Sequence, residues 1–319
     1  MSTDDQNLFR LTAWPPEPLP VPRVWVYPVT LTDDGFLQRD RRRPKSGRIG
    51  KLVAVPDELY LRGLRELRLD DALQVAAFVN EHGTMGTPEW ADLPPDMPAD
   101  ASLYFEGAPI RPPGLRATID GKFARYRRDT GLQPEWHGVT HVDVFGVYAR
   151  LLRDLVRILE AYQGLLTLDD VVAQWESEWT TPVMWRDGGM HAAVAFMVEC
   201  LHRPLRDFHA RLEIREDAWP EQDLMEAHPS LFSVLCLQMW NHIAQETPYR
   251  VCQREDCRRL FVRQQGRAKH GQFKKTGSMY CTVQCARLVS VRKFREGQRR
   301  AAAEAAKPPK TKRKSGPSR

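Results

Sequence analysis

Four cysteines fall in two close pairs, Cys252 with Cys257 and Cys281 with Cys285, giving C-x4-C and C-x3-C separated by twenty-three residues. Thiolates so placed are metal ligands, and four of them complete the tetrahedral shell of a structural zinc with no position left for water or substrate. Four unrelated buried thiols would be the plainer reading. It fits less well, because closely spaced pairs in a chain without secretory features point to a metal rather than to disulfides. His270 lies between the pairs, and the four cysteines already fill the shell without it.

The stretches around the cysteines must place them. Residues 258–263 (RRLFVR) read as a short strand, and Ser278, Met279 and Tyr280 as the strand that returns from it. Between them lies a polar, basic loop containing Gly266, Gly271 and Gly277. From Thr282 onward the residues suit a helix, with no proline until Pro308, so Cys285 belongs in or near its first turn. Knuckle, hairpin, helix is a treble-clef-like order. On that helix Arg292, Arg295 and Arg299 fall within a narrow arc, while Val291 and Phe294 lie to one side, where they are expected to pack on the zinc hairpin. Such arginines can grip phosphates or read guanine, and Arg267, Lys269, Lys274 and Lys275 in the loop would add phosphate contacts.

The residues from Cys252 to Cys257, Leu260-Phe261, the basic loop, Tyr280-Cys281, Cys285 and the arginine-rich helix resemble the zinc finger of the CGNR family of bacterial, especially actinobacterial, transcription regulators. The resemblance covers roughly residues 240–300. Where the family has Gly-Asn-Arg after the final cysteine, this chain has Ala286-Arg287-Leu288, so the arginine stands one place early and no asparagine role carries over. The resemblance implies zinc as cofactor, a DNA-binding role that includes Arg287, and an N-terminal domain for ligand sensing or dimerisation.

Charge is distributed unevenly. Residues 250–319 hold 21 Lys and Arg against 4 Asp and Glu, a net of +17, which leaves −11 for residues 1–249 out of a whole-chain +6. A basic module on an acidic body is the footprint expected of a nucleic-acid contact, although a solubilising tail or one folded back on the acidic part would share it. Duplex DNA is favoured over RNA, since Phe261 and Tyr280 are expected inside and unavailable for stacking on single strands. A protein-interaction module using the finger as scaffold is the remaining alternative. A homodimer and a small-molecule ligand stay open as partners.

At 319 residues the chain can bury a sizeable core. Its acidic start lacks a signal peptide and no apolar run is long enough to span a bilayer, so a cytoplasmic protein with reduced thiols and no membrane partner is expected. Residues 1–22 form a proline-rich arm, 23–249 an acidic helix-rich domain, 250–300 the finger and 301–319 a basic tail. In the acidic domain, strands are expected at Val24–Tyr27 and Leu52–Val55, with a turn at Asp33-Asp34-Gly35 and a basic run over 39–45 that reads as a solvated loop. Helices are expected over 56–67, 70–82, 144–164 and 168–177, over 189–212 with a break at Pro204, and over 229–245; 84–113 reads as a proline-rich loop. The fold class is therefore α+β.

No catalytic constellation emerges, and no enzyme is expected. His141 and Asp143 are two apart and poor co-ligands, while Pro204 interrupts the run between His202 and His209. Cys200 and Cys236 read as small core hydrophobes, and Trp175, Trp179 and Trp185 as packing.

Overall fold

A computed structural model describes residues 19–39, 50–85, 104–105, 108–109, 113–131, 140–176, 188–205, 212–213, 225–226, 229–262 and 278–305. The chain divides into two compact units, Met1–Tyr249 and Arg250–Arg319. Both helices and small sheets are present, an α+β protein. No helix among the described residues is long and apolar enough to cross a membrane.

In the N-terminal unit, β1 (Arg23–Val26) pairs antiparallel with β4 (Lys51–Ala54). A second sheet runs β2 (Val29–Leu31), β3 (Phe36–Arg39), β7 (Thr140–His141). The turn between β2 and β3 places Gly35 at φ +84°, where a Cβ would stand 2.9 Å from His141 Nε2, so this position needs glycine. Tyr104–Phe105 (β5) pairs with Ala108–Pro109 (β6), and Leu212–Glu213 (β8) with Met225–Glu226 (β9).

The helices are α1 (Gly63–Glu66), α2 (Ala72–His82), α3 (Pro113–Thr130), α4 (Val142–Tyr162), α5 (Leu168–Ala173), α6 (Gly189–Leu205) and α7 (Leu231–Ala244). Helix α4 is central, packing on α1, α2, α5 and α6, while α6 also packs on α7. Leu152, Leu155 and Ile158 of α4, Met197 of α6 and Leu235 of α7 are wholly buried. Cys200 and Cys236 lie in this core as small hydrophobes, and burial pushes the Cys200 thiol well up.

Local signals explain several helix ends. Asp71 caps α2, accepting from the amides of Leu73 and Gln74, and Gly83 at φ +98° returns its amide to the Val79 carbonyl. Thr167 and Asp170 form a capping box on α5, and Ser230 caps α7. Here one expectation fails. The helix expected from Pro56 forms only from Gly63, because Glu58 adopts φ +62° and residues 57–62 fold as successive turns that bury Leu59, Tyr60 and Leu61. Helix α3 covers a stretch beyond the proline-rich loop that carries no expectation. Its sequence is highly charged and lacks a clear apolar stripe, but Pro113 opens it and Gly131 at φ +69° closes it, its amide donating a hydrogen bond to the Arg127 carbonyl. Most of 84–113, together with Trp179, Trp185 and His209, lies outside the described residues.

Candidate metal centre

The C-terminal unit begins with β10 (Arg250–Val251), which pairs antiparallel with β11 (Leu260–Phe261). The reversal between them is the first cysteine knuckle. The Cys252 amide donates to the Arg259 carbonyl at 2.8 Å and the Cys257 amide to the Arg254 carbonyl at 3.0 Å, while Arg258 takes φ +46° to close the turn. The strand expected at Ser278–Tyr280 does not form. The partner of β11 is the segment before the knuckle, which the tight reversal holds in register. Ser278 and Met279 are tied in by single bonds, from Arg250 Nη1 to the Ser278 carbonyl (3.2 Å) and from the Gln253 amide to the Met279 carbonyl (2.9 Å).

Helix α8 (Val283–Ala305) follows at once. Thr282 Oγ1 accepts from the Cys285 amide at 3.0 Å, satisfying an amide that the helix start would otherwise leave unpaired, and this sets Cys285 in the first turn. Cys281 is thus placed by the chain entering the helix and Cys285 by the helix itself.

The four sulfurs come together. All four Sγ atoms lie within 4.8 Å of one another, with Cys257 and Cys281 3.5 Å apart and Cys281 and Cys285 3.7 Å apart. None is in a disulfide. Four sulfurs at about 2.3 Å from a tetrahedral zinc would be separated by roughly 3.8 Å, so these four lie close enough together to hold a metal ion. Cys252, Cys281, Cys285 and Phe261 form a small core of their own, with Tyr280 and Cys257 packed against it.

A fifth side chain belongs to the site. Arg254 Nη1 lies 3.7 Å from Cys285 Sγ, and the same guanidinium is oriented by Asp256, with Nε donating to Oδ1 at 2.6 Å. Burial acts to raise the Cys285 thiol, but bonds from Thr282, Cys281 and Arg254 outweigh it and bring the group down to about 7. Burial raises Cys281 and Cys257. Thus the Cys285 sulfur is biased toward thiolate, and a cation would supply the charge that Cys281 and Cys257 need to ionise. Cysteine spacing does not mark Arg254. Its one signal in the sequence is a place inside the C-x4-C turn, two residues before a carboxylate that can hold it.

The basic residues are spread differently. Arg287, Arg292, Arg295 and Arg299 are all exposed along α8, whereas Arg267, Lys269, Lys274 and Lys275, with His270, lie outside the described residues. Arg292 is engaged by Glu255 at 2.9 Å and Glu296 at 3.2 Å. Val291 and Phe294, expected against the hairpin, are 41% and 67% exposed. The knuckle lies on the Cys285 side of the helix, where Glu255 meets Arg292, whereas Phe294 stands nine residues beyond Cys285, about 180° round the axis.

Elsewhere, His141 has both ring nitrogens occupied. Nδ1 accepts from the Asp143 amide at 3.0 Å as the cap of α4, so the proton sits on Nε2, which donates to the Asp34 carbonyl at 2.9 Å. His202 packs on Trp240, and Trp175 on Phe196. No family model matches the chain, and no curated protein or solved structure matches it either.

Proposed function

We propose that the C-terminal unit is a treble-clef-like zinc finger in which Cys252, Cys257, Cys281 and Cys285 hold one structural Zn2+, and that it binds nucleic acid, duplex DNA in particular. The observation that carries the reading is the convergence of four Sγ atoms within 4.8 Å at the root of an exposed helix. Bound zinc supplies a cross-link between the knuckle and the helix, in a segment too small to build a sufficient apolar core. It supplies no reaction, because four thiolates leave no open position.

The nucleic-acid part rests on charge. Six cationic residues against two carboxylates on α8, within a unit of net +17, attract a polyanion and release its counterions. By its resemblance to the CGNR finger the protein acts as a cytoplasmic transcription regulator, its acidic N-terminal unit sensing a ligand or dimerising. Selection on a random-sequence duplex pool at near-physiological salt tests this, with a chain truncated after Tyr249 as control. Enrichment of a motif by the full chain alone is expected. Equal retention by the truncated chain, or no retention by either, overturns it.

A further inference from the structure

The outward face of α8 has a composition that phosphate binding does not explain. Taking about 100° per residue, the side of the helix opposite Cys285 carries Phe294, with Arg287, Val291 and Gln298 within about 60° of it. All four are exposed. Cations flank this face on both sides: Arg295 and Arg299 along one edge, Lys293 and Arg300 along the other. None of these four makes an ion pair among the described residues, in contrast to Arg292. The helix therefore presents a strip of apolar, amide and guanidinium groups between two basic edges.

A second copy of the same helix is a poor occupant, since it would set six cations and two carboxylates against the same excess. A groove walled by phosphates with base edges at its floor matches both parts. The B-form major groove, about 12 Å wide, admits a helix of about 10–12 Å diameter, and the A-form major groove of RNA does not. Arginine pairs with guanine, glutamine with adenine, and apolar side chains with the thymine methyl. From Arg287 to Gln298 the strip is about 16 Å long, roughly five base pairs.

We propose that α8 is a recognition helix that reads base edges in the major groove through Arg287, Val291, Phe294 and Gln298, with Phe294 and Val291 against thymine methyl groups and the two cationic edges on the phosphate walls. The proposal rests on the DNA-binding reading above and adds which face reads sequence.

The test uses the full chain loaded with zinc. A motif is selected from the random duplex pool, and affinity is then measured for the selected duplex and for a copy with deoxyuridine in place of thymidine. The wild type should bind the uracil copy about fourfold more weakly for each methyl touched. Phe294→Ala, with zinc content and circular dichroism of the wild type, should bind the thymine duplex more weakly and lose the distinction between the two copies. Arg295→Ala combined with Arg299→Ala should keep that distinction while reducing the log–log salt slope by about 0.9 for each phosphate no longer neutralised. A selected motif without thymine, no enriched motif, or a Phe294→Ala protein that still prefers thymine overturns the assignment of the face while leaving DNA binding intact. Absence of any duplex binding by the wild type overturns both.

Discussion

At the scale of single residues, the candidate metal centre is built from groups of unequal kinds. The four cysteines are close enough to hold a metal ion, and Arg254, 3.7 Å from Cys285 Sγ, joins Thr282 and Cys281 in favouring the thiolate of that residue. Arg254→Ala should weaken zinc binding by about tenfold, as removal of outer-shell partners does, measured by competition with a chromophoric chelator. Unchanged affinity would leave Arg254 a surface ion-pair partner of Asp256 only. In the N-terminal unit the most exacting position is Gly35. A side chain there meets both an unfavourable positive φ and the His141 ring that caps α4. Gly35→Ala should therefore cost about 1–3 kcal/mol in chemical denaturation, and a change below about 0.5 kcal/mol would show that the turn relaxes freely.

At the scale of elements, α4 is held by buried charge as well as by its apolar stripe. Asp154, with no exposed surface, accepts from Arg157 at 2.7 Å and from the Glu176 amide, and Arg153 donates to the Leu64 and Leu67 carbonyls while pairing with Glu176 at 3.0 Å. Arg157 also reaches Glu176, so this carboxylate joins the chain beyond α5 to the middle of α4. Burial alone would raise the Glu176 carboxyl, but Arg157 and Arg153 outweigh it and hold the group below its ordinary value of 4.5. A depressed folded-state value means that the contribution is complete above about 4.5 and lost as pH falls through the lower value. Glu176→Gln should thus lower stability by about 1–2 kcal/mol near neutral pH, with the gap to the wild type closing in acid. An equal gap at both ends of that range would assign the loss to packing. His141, whose value burial lowers, acts in the same direction: its neutral form caps α4 and is lost on acidification.

For the whole molecule, the two units have separate reasons to fold. The first buries a large aliphatic core around α4, whereas the second has a core of cysteines around Phe261 that a cation would complete. Chelation of zinc, or Cys281→Ser, should therefore unfold residues 250–305 and leave the N-terminal unit with its own cooperative melt. Amide hydrogen exchange read unit by unit checks this, and protection retained across the finger in the mutant would sink the structural role of the metal. With a net +17 on the second unit against −11 on the first, the proposed duplex binding should be strongly salt-dependent and should act through the second unit.

Residue type and chain order fix what is local. Cysteine spacing, the Thr167 and Ser230 caps, the apolar repeat of α4 and the helix start at Cys285 depend on neighbours within a few residues, where geometry is set by backbone periodicity. Pro113 and Gly131, which bracket α3, are signals of the same kind that its charged surface obscures. Other features are settled by partners distant in the chain. These emerge from the folded protein: β11 pairs with the segment before the knuckle, Glu58 breaks the first helix so that Tyr60 can bond His242 and Tyr249, and Phe294 faces solvent rather than the hairpin. Helical spacing states which residues share a face, but what covers that face depends on the side from which the neighbouring element packs, and this knuckle packs on the side of Cys285 and Arg292, away from Phe294.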